Sequence, residues 1–273
     1  MLVFCSGMLR SGSAFQYNLV ASLVESFGPC IRHGRWEPKE KIKITQLLSW
    51  AKDPEVYHII KSARYDEEFE LAQDGLAKIF YIHRDLRDVA VAAKHKWNIS
   101  DDKLIEMLDR ALSAHELMKA KGAFKDNSWC LVQKYEDVYF DNNKAVHQIA
   151  KFINLTPDIS IINKVVENCT IDKMLKVTVS KKLIFYQKTL RFLGSMANKI
   201  KSMLPKSLSG SWGLRRVYLA ILPKVDRQTG MAPRHIEPTK GKPGSWKDIL
   251  SKQEITMINN RYKNYLIHEN YKL

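Results

Sequence analysis

Arg10, Ser11, Gly12 and Ser13 put one cation, two hydroxyls and a glycine in consecutive positions, between an apolar run and a stretch of helical spacing. The run Leu2-Val3-Phe4 reads as a buried strand, and Phe15, Leu19, Val20, Leu23 and Val24 read as one face of a helix. Small residues at such a junction let main-chain N–H groups approach an anion, and the helix N-terminus adds partial positive charge. The stretch therefore reads as a phosphate cradle. Gly7 and Gly12 stand five apart, the spacing of a triphosphatase phosphate loop, but that loop requires lysine directly after the second glycine. Here Ser13 fills that position and the cation, Arg10, precedes Gly12. A nucleotide kinase of that type is excluded on this ground. An ordinary strand–helix turn is the alternative, and the rest of the chain decides between them.

Two further cations stand where a parallel sheet binds ligands, at the carboxyl ends of strands. Lys61 closes the apolar run 56–62, and Arg84 opens the turn Arg84-Asp85-Leu86-Arg87-Asp88 after the run 76–83. Asp85 and Asp88 read as cap and salt-bridge residues. No cluster of histidine, cysteine and carboxylate has metal-ligand spacing, so no metal is expected. Cys5, Cys30, Cys130 and Cys169 are widely separated in apolar surroundings, which fits reduced thiols in a cytoplasm and neither zinc nor a disulfide framework.

These positions depend on the elements that carry them. Helices are expected over residues 12–27, 44–51, 89–97, 142–153 and 160–168, with Asp101 capping a long one to about residue 121. Strands are expected at 30–33, 56–62, 76–83 and 129–133. Strands alternating with helices predict an α/β fold, a three-layer arrangement with a central parallel sheet and helices on both faces. After Lys176 the character changes: residues 183–204 and 212–222 are apolar and basic, 228–245 is a Pro/Gly-rich loop, and 251–271 reads as a closing helix.

The 273 residues read as one domain, 1–273, with a basic helical insertion at 177–235. No apolar run approaches the roughly 18 residues of a membrane span, and the first strand leaves no room for a signal peptide ahead of it. The formal charge is +15. Its source is local: residues 180–235 hold twelve lysines and arginines against a single acid, Asp226. Such a face implies an anionic partner or a merely solvated surface. Nucleic acid is disfavoured because no nucleic-acid-binding motif accompanies the charge.

Four pieces in order resemble one family. They are Arg10-Ser11-Gly12-Ser13, the run from Tyr81 to Val91 containing Arg84 and Asp88, Lys134-Tyr135-Glu136-Asp137, and Lys240-Gly241-Lys242-Pro243-Gly244-Ser245-Trp246. Together they resemble the sulfotransferases that use 3′-phosphoadenosine 5′-phosphosulfate (PAPS), over residues 1–175 and 238–250. The resemblance implies transfer of a sulfuryl group from PAPS to an acceptor hydroxyl or amine without metal, leaving 3′-phosphoadenosine 5′-phosphate (PAP). It implies that Arg10, Ser11, Gly12, Ser13 and Ala14 hold the phosphosulfate, and that Phe15 stacks on adenine with Tyr135 lining the same pocket. It implies further that Arg84, Lys240 and Gly241 hold the 3′-phosphate. Lys61 corresponds to the family's Lys-Thr-His strand end, here Lys61-Ser62-Ala63, where a cation neutralises charge on the leaving phosphate. The third residue, a general base in the cytosolic branch, is Ala63 here. By comparison with the heparan-type branch the base is His33 or Glu37; a histidine has the right ordinary pKa for the task. Ala92 and Thr239 depart from the family's serine and arginine at those positions.

The competing reading is a polyanion- or membrane-surface-binding protein on a degenerate scaffold of this kind. Arg10 and Arg84 speak for the enzyme, and Ala63, Ala92 and Thr239 for the rival. The acceptor and the oligomeric state are not identified by the sequence. The apolar and basic residues of 180–235 suit an amphiphilic acceptor and a peripheral position at an anionic membrane.

Overall fold

A computed structural model describes residues 1–35, 44–53, 55–62, 66–97, 99–126, 128–178 and 239–273. The expected insertion at 177–235 lies almost wholly outside the described residues, as do Glu37 and Ala63.

Five parallel strands form one sheet: β1 (Leu2–Gly7), β2 (Cys30–Arg35), β3 (Tyr57–Lys61), β4 (Ala77–His83) and β5 (Cys130–Lys134), in the order β2-β3-β1-β4-β5. Because side chains alternate along a strand, the two faces collect two cores. Leu2, Phe4, Ile60, Ile79 and Tyr81 face one way; Val3, Cys5, Ile59, Phe80 and Ile82 face the other. Burial on both faces explains why these strands read as continuous apolar runs rather than alternating ones.

The second face is covered by α1 (Ser13–Val24), α7 (Asn142–Phe152) and α8 (Ile159–Asn168). The first is covered by α2 (Ile44–Ala51), α3 (Asp66–Gln73), α4 (Leu86–Trp97), α5 (Asp101–Ala120), and the C-terminal α11 (Lys252–Arg261) and α12 (Lys263–His268). The remaining helices among the described residues are α6 (Tyr135–Phe140), α9 (Ile171–Thr178) and α10 (Trp246–Ile249). The helix after β1 and the helix after β4 thus lie on opposite faces of adjacent strands. That topology opens a crevice at the carboxyl ends of β1 and β4.

Several local expectations are corrected. Ser100, not Asp101, occupies the N-cap position of α5, and Asp101 and Asp102 lie in its first turn, where carboxylates favour the helix dipole. The closing helix is two helices meeting at Tyr262, whose hydroxyl donates to Asp109 on α5 at 2.9 Å. α3 and α6 were not foreseen. In β2 the register shifts between Arg32 and Gly34, leaving His33 at the irregularity; Gly34 has φ 70° there.

Candidate functional site

β1 ends at Gly7 beside Ile82 of β4. The chain then stays on β4 for one more bond, Met8 N–H to the Ile82 carbonyl at 3.0 Å. Ser11 is fully buried, and its hydroxyl lies 2.8 Å from both the Met8 and Ile82 carbonyls. It ties the loop to the sheet rather than facing solvent. Arg10 has φ 63° and Gly12 φ 92°, so the turn passes twice through the left-handed region. A Cβ at Gly12 would collide with the Tyr135 ring. Ser13 and Ala14 begin α1; of the helix-end donors, the N–H groups of Phe15 and Gln16 donate to the Gly12 carbonyl at 2.8 and 3.2 Å. Phe15 is packed in the second-face core and only 9 % exposed. Its ring therefore serves α1 packing and is not the open adenine platform expected of it. The Arg10 guanidinium lies 6.0 Å from the ring of Trp97, a large aromatic side chain that is exposed.

Arg84 follows β4 directly and is 3 % exposed. Its guanidinium lies 4.5 Å over the Tyr135 ring, and its Nη2 donates to the Gly241 carbonyl at 3.0 Å. The Tyr135 hydroxyl donates to the same carbonyl, also at 3.0 Å. Gly12, Arg84, Tyr135 and Gly241, from four distant parts of the chain, are thus in contact at the crevice.

The surrounding carboxylates are engaged. Asp85 pairs with the buried Arg87 at 2.7 Å, and its own N–H donates to Glu136 at 3.0 Å. Asp88 accepts from the N–H groups of Gly244 and Trp246 and from the Ser245 hydroxyl. Burial pushes the Asp88 and Glu136 carboxyls above the ordinary range, opposed in each case by Arg84 among other groups. The Lys240 ammonium is engaged by a carboxylate: its Nζ reaches Asp172 on α9 at 2.6 Å, at an exposed site.

Lys61 ends β3, aligned with Cys5 on β1, at the same carboxyl edge as the loop. Its charge acts against the burial that drives the Cys5 thiol upward. The next residue, Ser62, donates to the buried Glu68 on α3.

His33 is not brought to this edge. Gly34 pairs with Ile60, which pairs with Phe4, so His33 lies roughly 10 Å short of Gly7 at about 3.3 Å per residue. Its ring stacks on Trp50 at 3.9 Å and its Nε2 is 3.0 Å from Nδ1 of the buried His58. His58 in turn faces Asp53 at 3.6 Å. The bulge in β2 turns His33 into this aromatic stack, which corrects its expected place as the base.

Sequence reasoning missed the Asp88 contacts, Trp97 beside Arg10, and the Lys240–Asp172 pair. Asp88 and Trp246 each stood inside a quoted motif, but nothing in a linear reading signals that residues 156 to 158 positions apart share hydrogen bonds.

A family model described as the sulfotransferase domain matches residues 3–229. The match runs through the stretch after 175 that the motif resemblance left out, and stops before Lys240. Two solved structures of retinol dehydratase, one with androsterone and inactive cofactor PAP and one with retinol and PAP, are similar over 100 % of this chain and 82 % of theirs. Their identities are 16 % and 15 %, with TM-scores of 0.57 and 0.56. A mouse sulfotransferase complexed with PAP is similar over 97 % of this chain and 84 % of its own, at 15 % identity and TM-score 0.54. At such identities the likeness establishes the fold. No curated protein matches the chain.

Proposed function

The chain belongs to the sulfotransferase domain family, and we propose that it transfers a sulfuryl group from PAPS to the hydroxyl or amine of an acceptor. One observation carries the reading: the Arg10 loop and the Arg84–Tyr135–Gly241 contact flank a single crevice between β1 and β4. A nucleotide bearing phosphate at both its 5′ and 3′ sides needs two cationic pockets on two different elements. The buried Arg84 guanidinium, held on the Tyr135 ring that Gly12 packs against, suits that donor. PAPS supplies the sulfuryl group, and PAP is the product.

In this reading Arg10 and the first-turn N–H groups of α1 hold the 5′ side by charge-assisted hydrogen bonds. Lys61, at the same edge, balances the charge that grows on the leaving phosphate as the acceptor oxygen or nitrogen attacks in line. Arg84 takes the 3′-phosphate while its Nη2 stays on the Gly241 carbonyl, since a guanidinium has five N–H donors to share. Trp97, exposed beside Arg10, offers an apolar wall to the acceptor. That wall and the androsterone and retinol held by the retinol dehydratases both favour an apolar alcohol.

Titration calorimetry with PAP, followed by an acceptor screen with labelled PAPS over steroid, isoprenoid and phenolic alcohols and amines, tests the proposal. PAP binding and a labelled product are expected; a chain that binds no PAP is not this enzyme.

A further inference from the structure

The late loop that carries Lys240 and Gly241 is under backbone strain. Lys240 has φ 51° and Gly241 φ 77°, and the turn is closed by the Lys242 N–H on the Thr239 carbonyl at 3.0 Å. Two successive left-handed residues suit a turn of the primed type, in which glycine is the easy occupant. A lysine held there persists only where its surroundings over-determine it. Arg84 and Tyr135 grip one side of this turn, through the Gly241 carbonyl.

The other grip is Asp88. Its carboxylate is fully buried in the first turn of α4. A carboxylate there ordinarily serves its own helix end. Here the hydrogen bonds run instead to the far chain: Gly244 N–H at 2.7 Å, Trp246 N–H at 3.1 Å and the Ser245 hydroxyl at 3.1 Å. Arg87, next to it, lies 4.0 Å over the Trp246 ring and is itself held by Asp85 and Asn259. The segment directly after the strained turn is thus fastened to the helix that begins right after Arg84.

We propose that Asp88 is a positioning residue, which holds the Lys240–Gly241 turn against Arg84 and thereby sets the protein's preference for a 3′-phosphorylated nucleotide. The inference rests on the PAPS reading above. Asp88 touches no phosphate; its three bonds keep the turn from relaxing to an unstrained path that would carry Gly241 off Arg84. The Arg10 loop follows β1, on the far side of Tyr135 from the turn.

The test is calorimetric titration of the full chain with PAP and with adenosine 5′-monophosphate, which lacks the 3′-phosphate. In Asp88→Asn, PAP affinity is expected to fall about tenfold or more, as when a charged hydrogen-bond acceptor is lost, while affinity for the monophosphate stays within about twofold. A merely structural role would weaken both ligands together. Ser245→Ala removes one of the three donors without uncovering a buried charge, and should narrow the PAP preference in the same direction by less. It carries the test alone if Asp88→Asn does not fold. A wild-type preference for PAP that survives unchanged in the folded variants overturns the inference and leaves the enzyme reading intact. A wild-type protein that does not prefer PAP overturns the PAPS reading, and this inference with it.

Discussion

Arg84 is buried, rests on an aromatic ring and donates to a main-chain carbonyl, so its guanidinium is oriented before any ligand arrives. A pre-placed cation loses little side-chain freedom on binding, which is where a planar fork outperforms a lysine. Arg10 lies in the loop after β1, beside Trp97. The two predict separable losses. Arg84→Ala should weaken PAP by a factor corresponding to about 1.5–3 kcal/mol and leave adenosine 5′-monophosphate little changed. Arg10→Ala should weaken both nucleotides alike and abolish transfer. Parallel calorimetric titrations decide it, and equal losses of both ligands in Arg84→Ala would refute the 3′ assignment. These two arginines were legible in the sequence because each stands at a strand–helix junction with a recognisable pattern around it. His33 was not, because its position turns on a one-residue irregularity in β2 that displaces it along the strand and into the Trp50 stack. Lys240 was placed in the right loop, but its partner Asp172 is far off in sequence, and nothing local marks the pair.

At the scale of elements, the loop and α6 form one unit. α6 begins at Tyr135, directly after β5, and so sets the Tyr135 ring against Gly12 with no intervening turn. Gly12→Ala tests this fit. The new Cβ would strike that ring, and φ 92° already disfavours any side chain. Either the loop shifts or Tyr135 does, and in the second case its bond to Gly241 goes too. Strain of about 1–3 kcal/mol is expected, seen as a thermal midpoint lower by several degrees. PAP binding should be lost at temperatures where circular dichroism still shows a folded chain. A variant that binds PAP as the wild type does would show that Gly12 is a packing convenience. β1, β3 and β4 were legible because strands buried on both faces carry apolar residues at every position. α6 was hidden because no breaker separates Lys134 from Tyr135. α3 was hidden because half of DEEFELAQ is charged, with Phe69, Leu71 and Ala72 alone signalling its buried side. The break at Tyr262 leaves helical periodicity nearly unchanged on either side, so one long helix was the natural expectation.

For the molecule as a whole, the C-terminal helices close the first-face core by one polar anchor. Glu269, at the end of α12, lies 3.0 Å from His115 on α5, 3.8 Å from His83 at the end of β4 and 3.9 Å from Lys119. The neighbouring His268 meets it at 2.9 Å, and Lys134 on β5 donates to its main-chain carbonyl at 2.9 Å. The anchor therefore joins two strand ends and two helices next to Arg84. Its protonation sets an acid limit on the fold. Burial above all, with His115 beside it, lowers the His83 pKa from 6.5 to about 3 despite the carboxylate nearby. The unfolded chain's His83 takes a proton below about 6.5, the folded one only below about 3, so over that interval the unfolded state binds more protons and stability falls as pH falls. Glu269 is held down to about 2 against the resistance of burial, by its hydrogen bonds with His115 and His268. Its contribution is full above the ordinary carboxylate range and is lost as pH drops through that range toward 2, the same sign. His58, also lowered by burial, adds to the first part of the decline. The thermal midpoint should therefore begin to fall near pH 6.5, before carboxylates titrate, and fall faster below about 4.5. Replacing His83 with glutamine removes one titrating group from the upper interval and should flatten the slope between pH 6.5 and 4.5 while leaving the steeper fall below it. A wild-type midpoint constant from pH 7 to 5, or a His83→Gln profile parallel to wild type throughout, would show that His83 does not stay neutral in the folded protein.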